Sequence, residues 1–369
     1  MRKNILILGH DYTTQFVDIY NQYTRLFNKE KYAVTVAFLT GASDNQVKQR
    51  LLAEHVIFLN LSKKSIRGLK IQAIKTLLAM TRENNFEFII CHRYKPSYIM
   101  MWVARFYNIP VLISVMHELR TMSSLKRQLF IACLRPKNIL FAGVSNAVSD
   151  DMRKNLWFLP KERVATLYNS IDIELTEPQL LSREEARAVL QLPNDAFIFG
   201  HLGRLALNKD QATLIQAFSL IKSHYPKAKL LILGTGGLEL KLKQQVQAYG
   251  LDHDVIFSGF VPQGFRYMKA FDCFVLSSIQ EAFGRVLLEA MLAKLPVIAT
   301  RVHGIPEVVA EAGILVPPKN PAELAAAMKR IIDLSQKERE EWGETAYQHI
   351  FNNFSIPYFQ QQFWNLFQH

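Results

Sequence analysis

Residues 277–309 read SSIQEAFGRVLLEAMLAKLPVIATRVHGIPEVV. The run before them, Cys273–Ser278, reads as a buried strand. Gly284 permits close backbone approach and an unusual φ. A helix is expected from about Arg285 through Leu295, with Val286, Leu287, Ala290 and Met291 as its apolar stripe. From Gly284 to Glu289 the rise is roughly 7.5 Å at 1.5 Å per residue. Glu281 therefore stands at the loop mouth and Glu289 on the helix side. Backbone N–H groups and the helix dipole favour an anion at the helix start. Carboxylates bind hydroxyls and repel phosphates. The expected ligand is a polyhydroxylated anion, with hydroxyls at each glutamate and phosphate between them. Two solvated glutamates on an amphipathic helix are the plain alternative. The strand, the Ala282-Phe283-Gly284 turn and the following VIAT and GIPEVV weigh against it.

Outward from this segment the same grammar repeats. Short apolar runs alternate with helical patterns, which predicts parallel sheets with crossover helices. The first half offers strands at 4–9, 32–40, 56–61, 86–91, 110–116, 139–145 and 164–168. The second offers 197–202, 229–234, 255–258, 273–278, 296–300 and 313–316. The chain has 369 residues, too many for one ordinary core. Two Rossmann-like domains are expected, residues 1–170 and 171–354, joined through a polar, Pro-containing linker at 169–182. Residues 355–369 read as a short aromatic helix needing a dock.

Composition narrows the chemistry. Hydrophobic residues make up 49% and charged residues 21%, which suits a folded protein. Cys91, Cys133 and Cys273 lie in apolar stretches without paired spacing, so no disulfide framework or zinc site is implied. The start, MRKNILILGHDY, has only a strand-length apolar run and does not read as a signal peptide. No segment has the roughly 18 uninterrupted apolar residues of a spanning helix. A cytoplasmic location is expected. Residues 1–170 hold 25 Lys and Arg against 11 Asp and Glu, an excess of 14, while the remainder stands at −2. The basic first half favours an anionic partner. It lacks a nucleic-acid reading motif, so no nucleic-acid partner is expected.

Ligands of open α/β sheets sit at the carboxyl ends of the strands. Candidates follow the strands here. In FIFGHLGRLALNKD, Arg204 and Lys209 stand after a strand, offering a fork and a point charge for a diphosphate. LLILGTGGL is a glycine-rich turn, weak by itself. No His-Glu-x-x-His and no Asp-x-Asp occurs at a strand end, so metal-independent diphosphate binding is expected.

Ser277, Glu281, Phe283, Gly284, Glu289, Ala290, Pro296–Thr300, Gly304, Pro306 and Glu307 together resemble the donor-binding signature of retaining GT-B-fold glycosyltransferases of the group 1, or family-four, type. The chain departs at His303, where glycine is usual, and at Arg285, where an apolar residue is common. The resemblance is close in the second half and loose in the first. It implies two Rossmann-like domains facing across a cleft, with the C-terminal helix crossing back to the N-terminal domain. It implies that the C-terminal domain binds a nucleotide-diphosphate sugar, a co-substrate with no further cofactor, and that the N-terminal domain binds the acceptor. Arg204 and Lys209 would hold the diphosphate, Glu289 the ribose and Glu281 the donor sugar. Ala282, Phe283 and Gly284 would form the donor loop. Phe260 and Val261 would line the base, although core packing explains them as well. His117, after the strand ending at Met116, would touch the donor sugar near the reacting carbon; Glu118 follows where Asp is common. Gly9 would keep part of a phosphate-binding loop whose usual glycine pair is here Gly9-His10.

The acceptor side is thinner. His10, Asp11 or Thr13 could face the acceptor, as could Arg93, Tyr94 and Lys95. Two basic amphipathic stretches, 62–82 and 119–137, suit either an anionic bilayer or ordinary sheet-covering helices. The expected activity is retaining transfer of a sugar to a saccharide or glycolipid in lipopolysaccharide or cell-envelope synthesis, on or near the cytoplasmic membrane surface. A nucleotide-sugar epimerase and a non-catalytic sugar-nucleotide-binding protein are the alternatives.

Overall fold

The structure is a computed structural model. It describes every residue except Met1, Thr13, Lys63, Arg67, Leu69 and His369, and the side chains of Thr14 and Gln15 are also left undescribed. Thr13 and three members of the first basic stretch therefore lie outside the described residues.

Among the described residues, thirteen strands form two parallel sheets. In the first are β1 (Lys3–Gly9), β2 (Tyr32–Phe38), β3 (His55–Phe58), β4 (Phe86–His92), β5 (Val111–Met116), β6 (Ile139–Gly143) and β7 (Val164–Thr166). Their order is β3-β2-β1-β4-β5-β6-β7. The second sheet holds β8 (Ile198–Leu202), β9 (Lys229–Leu233), β10 (Val255–Gly259), β11 (Cys273–Leu276), β12 (Val297–Thr300) and β13 (Ile314–Val316), in the order β10-β9-β8-β11-β12-β13. Counted from their own first strands, both sheets thus run 3-2-1-4-5-6, and the first adds a seventh strand at its end. This is the doubly wound order, and it places a switch point at β1/β4 and another at β8/β11.

Strands covered on both faces lose the in-out alternation and become unbroken apolar runs. β1 is buried from Ile5 through Gly9, and β11 over its whole length. That is why the apolar runs in the sequence locate them. Several strand ends come earlier than the runs suggest, whereas β4 and β10 extend one residue past them. Leu39 and Thr40 lie past the end of β2, yet their N–H groups still reach Gly9 O and His10 O along the β1 side.

The chain divides into two compact units. Unit 1 is Met1–Asn169 with Phe359–His369, and unit 2 is Ser170–Tyr358. The stretch expected as linker is partly helical, at Ile173–Thr176 and Glu177–Gln179. Asp172 caps the first of these by accepting from Leu175 N. Ile171 bridges Ser355 within unit 2. Polar, Pro-containing sequence here marks a capped turn of helix, not a free tether.

The aromatic tail forms the helix Ile356–Asn365. From Phe359 onward it belongs to unit 1. Phe359 meets Tyr23 edge-on at 5.0 Å, Trp364 meets Phe27 at 5.9 Å and Phe367 meets Phe88 at 5.6 Å. Phe363 is fully buried. Gln360 donates to the carbonyl of Arg25.

Candidate active site

The switch point of the second sheet collects most of the residues singled out in the sequence. β8 ends at Leu202, and its loop carries Arg204 and Lys209. β11 ends at Leu276, and its loop carries Glu281. The two loops are laced together. Ile279 N donates to Asn208 O at 2.9 Å, and Ser277 Oγ donates to Lys209 O at 2.9 Å. Lys209 Nζ and Glu281 Oε2 form an ion pair, with side chains only 18% and 17% exposed. Ser278 Oγ reaches the same Oε2 at 3.4 Å. Among the described residues no donor is given to Glu281 Oε1. One carboxylate oxygen is thus held, and the other is available to a hydroxyl. Lys209 also offsets the charge of Glu281, which lowers its repulsion of a nearby phosphate.

Gly284 takes φ +88° at the start of the helix Arg285–Leu292. The left-handed region suits glycine, and a side chain there would be strained. The helix buries Leu287, Leu288, Ala290, Met291 and Leu292. Leu288 joins the buried face in place of the expected Val286. The helix also stops three residues short of Leu295, because Lys294 turns left-handed at φ +58°. Phe283 is buried against Phe354, with ring centroids 5.7 Å apart. Ala282 and Glu289 are partly exposed. Gly304 N donates to Glu281 O at 3.2 Å, fastening the GIPEVV turn under the loop. His303, standing where glycine is usual, adopts φ +44°. That backbone conformation supplies the physical reason for a glycine there.

The glycine-rich turn after β9 has a packing task. A Cβ on Gly236 would lie 2.2 Å from Leu205 O, and one on Gly234 would lie 2.0 Å from Gly203 O. The turn therefore presses backbone to backbone on the Arg204 loop, and Leu205 N donates to Thr235 O at 2.9 Å. Arg204 itself is exposed. Its carbonyl accepts from Gln211 Nε2 at 3.0 Å. The same Gln211 Nε2 lies 3.1 Å from His201 Nε2, and His201 Nδ1 lies 2.9 Å from Val275 O. Nδ1–H donating to the carbonyl leaves Nε2 as the acceptor for Gln211. Burial pushes the His201 ring down to about 4, so it stays neutral near pH 7. Neither His201 nor Gln211 stands out in the sequence. A histidine within the run FIFGHL is the one signal that pointed there.

Phe260 follows β10 and is 72% exposed, which removes core packing as its explanation. Val261 is half-buried.

In unit 1 the switch point lies at β1/β4. Gly9 is buried there; a Cβ would strike the Tyr20 ring, 2.3 Å from its Oη. Tyr20 Oη in turn donates to Asp11 O at 2.8 Å. His117 follows β5, and its Nε2 lies 3.0 Å from Nδ1 of His92, which is fully buried at the end of β4. Burial, then the neighbouring His117 and Arg93, hold His92 well below the ordinary histidine range. Phe16 packs edge-on to His117 at 5.2 Å. Arg93 pairs with Asp11 at 3.3 Å. Among the described residues no group of three or more His, Cys, Asp or Glu side chains could hold a metal ion. No described helix is long and apolar enough to cross a membrane.

Residues 182–349 match the model of the family described as glycosyl transferases group 1. That segment, a little under half of the chain, is a group 1 glycosyltransferase segment. The match covers the loops of β8, β9 and β11 and both glutamates. Among curated relatives the chain is 30% identical over 221 residues to a Campylobacter jejuni enzyme, N-acetylgalactosamine-N,N'-diacetylbacillosaminyl-diphospho-undecaprenol 4-alpha-N-acetylgalactosaminyltransferase, covering 58% of this chain and 57% of that one. It is 33% identical over 150 residues to a lipopolysaccharide core biosynthesis glycosyltransferase of Rhizobium meliloti, covering 40% and 43%. The chain thus spans about half the length of these relatives. A solved structure of the Anabaena protein HepE in complex with UDP aligns over 100% of this chain and 99% of its own, with a TM-score of 0.82 and 22% identity. That likeness shows the GT-B fold.

Proposed function

We propose that this chain is a retaining, metal-independent glycosyltransferase that moves a sugar from a nucleotide-diphosphate sugar to a saccharide or glycolipid acceptor. The observation that carries this reading is the Lys209–Glu281 pair at the β8/β11 switch point, inside the family segment and beside Arg204. Glu281 Oε1 accepts from a donor-sugar hydroxyl, and Glu289 from the ribose. Arg204 and Lys209 stabilise the diphosphate as it departs, where developing charge rewards fixed cations most. Ala282, Phe283 and Gly284 form the loop around the diphosphate. Phe260 and Val261 meet the base. His117 touches the donor sugar, and Gly9 serves the donor phosphate. The anomeric carbon's bond to the diphosphate oxygen breaks. A bond to the acceptor oxygen forms on the same face, and the acceptor's proton passes to the departing diphosphate.

The acceptor belongs to unit 1. The positive excess of residues 1–170 supports a negatively charged or membrane-borne acceptor. So does the diphospho-undecaprenol in the Campylobacter relative's name. The helix Leu125–Leu134 turns Leu125 and Leu129 outward beside Lys126, a face suited to an anionic lipid surface. The UDP bound by the Anabaena protein makes uridine the first base to test.

The test is a thermal-shift screen of the whole chain with UDP, GDP and ADP and their sugars. A donor at a hundredfold excess over Kd adds about 2.7 kcal/mol of stability. Lys209→Ala should abolish that shift, and Glu281→Gln should erase the advantage of the nucleotide sugar over the bare diphosphate. Full transfer activity in Lys209→Ala or Glu281→Ala would sink the assignment. Running transfer on anionic and on neutral vesicles tests the lipid surface, and equal rates on both would remove it.

A further inference from the structure

Unit 1 holds a second charged site, which borders His117 but whose cations the donor chemistry does not use. A cavity of about 280 Å³ opens at the carboxyl ends of β1, β4 and β5. Its lining includes Arg93, Lys95, Arg120 and Arg127, against a single acid, Glu118. Arg93 is matched by Asp11. Among the described residues no ion pair is given to Lys95, Arg120 or Arg127. Three cations line one concavity with no side-chain ion pair of their own, although the Arg120 N–H donates to Asp151 Oδ2 at 2.8 Å. A solvated basic surface spreads its charges apart, because like charges at short range repel by about 1 kcal/mol or more.

The site is also built. Arg127 Nη1 donates to Thr121 O, and its guanidinium lies 4.5 Å above the Tyr94 ring. It is therefore fixed before any ligand arrives, and such a fork suits a tetrahedral oxyanion. The ten-residue helix Tyr94–Val103 starts at the cavity with no side-chain cap. The positive end of its dipole adds to the cations there. Lys95 also depresses the nearby His10, second to burial. The field in the cavity is felt by a neighbouring ring.

We propose that this cavity binds a phosphate or diphosphate group of the acceptor. A carboxylate would need one arginine fork. Even against Glu118, the three cations leave an excess of two positive charges, which suits a group carrying two or more negative charges. The proposal rests on the reading that unit 1 takes the acceptor, and it narrows that acceptor to phosphorylated molecules. A lipid-carried diphosphate and a phosphorylated sugar share this chemistry.

The probe is inorganic pyrophosphate, titrated calorimetrically into the whole chain at low salt. Lys95 and Arg120 are exposed, so replacing them spares the core. Two sites are expected in the wild type. Arg204→Ala with Lys209→Ala should remove one. Lys95→Ala with Arg120→Ala should weaken the other at least tenfold, and Lys95→Arg should keep it. A single site that vanishes with Arg204 and Lys209 overturns this proposal and leaves glycosyl transfer untouched. Two sites without transfer to any acceptor would instead overturn glycosyl transfer and leave the cavity standing. Competition against pyrophosphate then separates the sources. Displacement by a short isoprenyl diphosphate assigns a lipid carrier, and displacement by a hexose phosphate assigns a phosphorylated sugar. Displacement by neither overturns the assignment.

Discussion

Glu281 and Lys209 are 72 positions apart and share an ion pair. Each was legible alone, as a carboxylate for hydroxyls and a cation for phosphates. Their pairing was not, because it depends on β8 and β11 lying side by side. The buried brace behind them was still less visible. His201 and Gln211 are polar residues in apolar surroundings, and only the fold reveals that they satisfy one another and the Arg204 carbonyl. That brace makes a prediction. The His201 ring titrates near 6.5 when unfolded and near 4 when folded. Between these values the unfolded chain holds the extra proton. Stability is therefore full above pH 6.5 and falls as pH drops toward 4, by roughly 3 kcal/mol in all. Urea melts of wild type and His201→Gln across pH 7 to 4 should show this part of the slope vanish in the variant. An unchanged slope would mean the ring does not titrate as placed.

At the level of elements, the thirteen strands among the described residues were readable as apolar runs, most sharply central strands such as β1 and β11, where burial on both faces demands them. Their ends were less so. The ladder stops at Phe38 although the Leu39 N–H still reaches Gly9 O on the partner strand, and no local pattern announces that stop. The turn after β9 shows the same limit. Its glycines read as an ordinary αβ turn, whereas Gly236 lies against the Leu205 carbonyl and Gly237 has nothing within 4 Å of a built Cβ. Gly236→Ala should therefore cost about 1–3 kcal/mol and weaken nucleotide binding by displacing the Arg204 loop. Gly237→Ala should stay within about 0.5 kcal/mol of wild type. Chemical denaturation with a nucleotide titration on both variants decides it. Equal effects would remove the packing role given to Gly236.

For the molecule as a whole, two Rossmann-like halves were expected from the alternation of runs, their strand order was not, and the aromatic tail asked for a dock. The tail's partners were not legible, since Tyr23, Phe27 and Phe88 lie more than 270 positions away in the chain. Phe363 is wholly buried in unit 1, within 6.3 Å of the Phe88 ring. Phe363→Ala should cost unit 1 about 3–5 kcal/mol. Hydrogen exchange should show β1 and β4 losing protection while β8 and β11 keep theirs. Uniform loss across both sheets would contradict the division into units.

The return of residues 359–368 to unit 1 has a consequence for synthesis. The ribosome makes the first 169 residues, then all of Ser170–Tyr358, before it makes the segment that covers Phe27 and Phe88. At roughly 5–20 residues per second, that interval lasts on the order of ten to forty seconds. Throughout it, the first sheet has all its strands but carries an uncovered aromatic surface, and by its end unit 2 has every residue it needs. The later half of the chain can finish folding first, and the earlier half waits for its last helix.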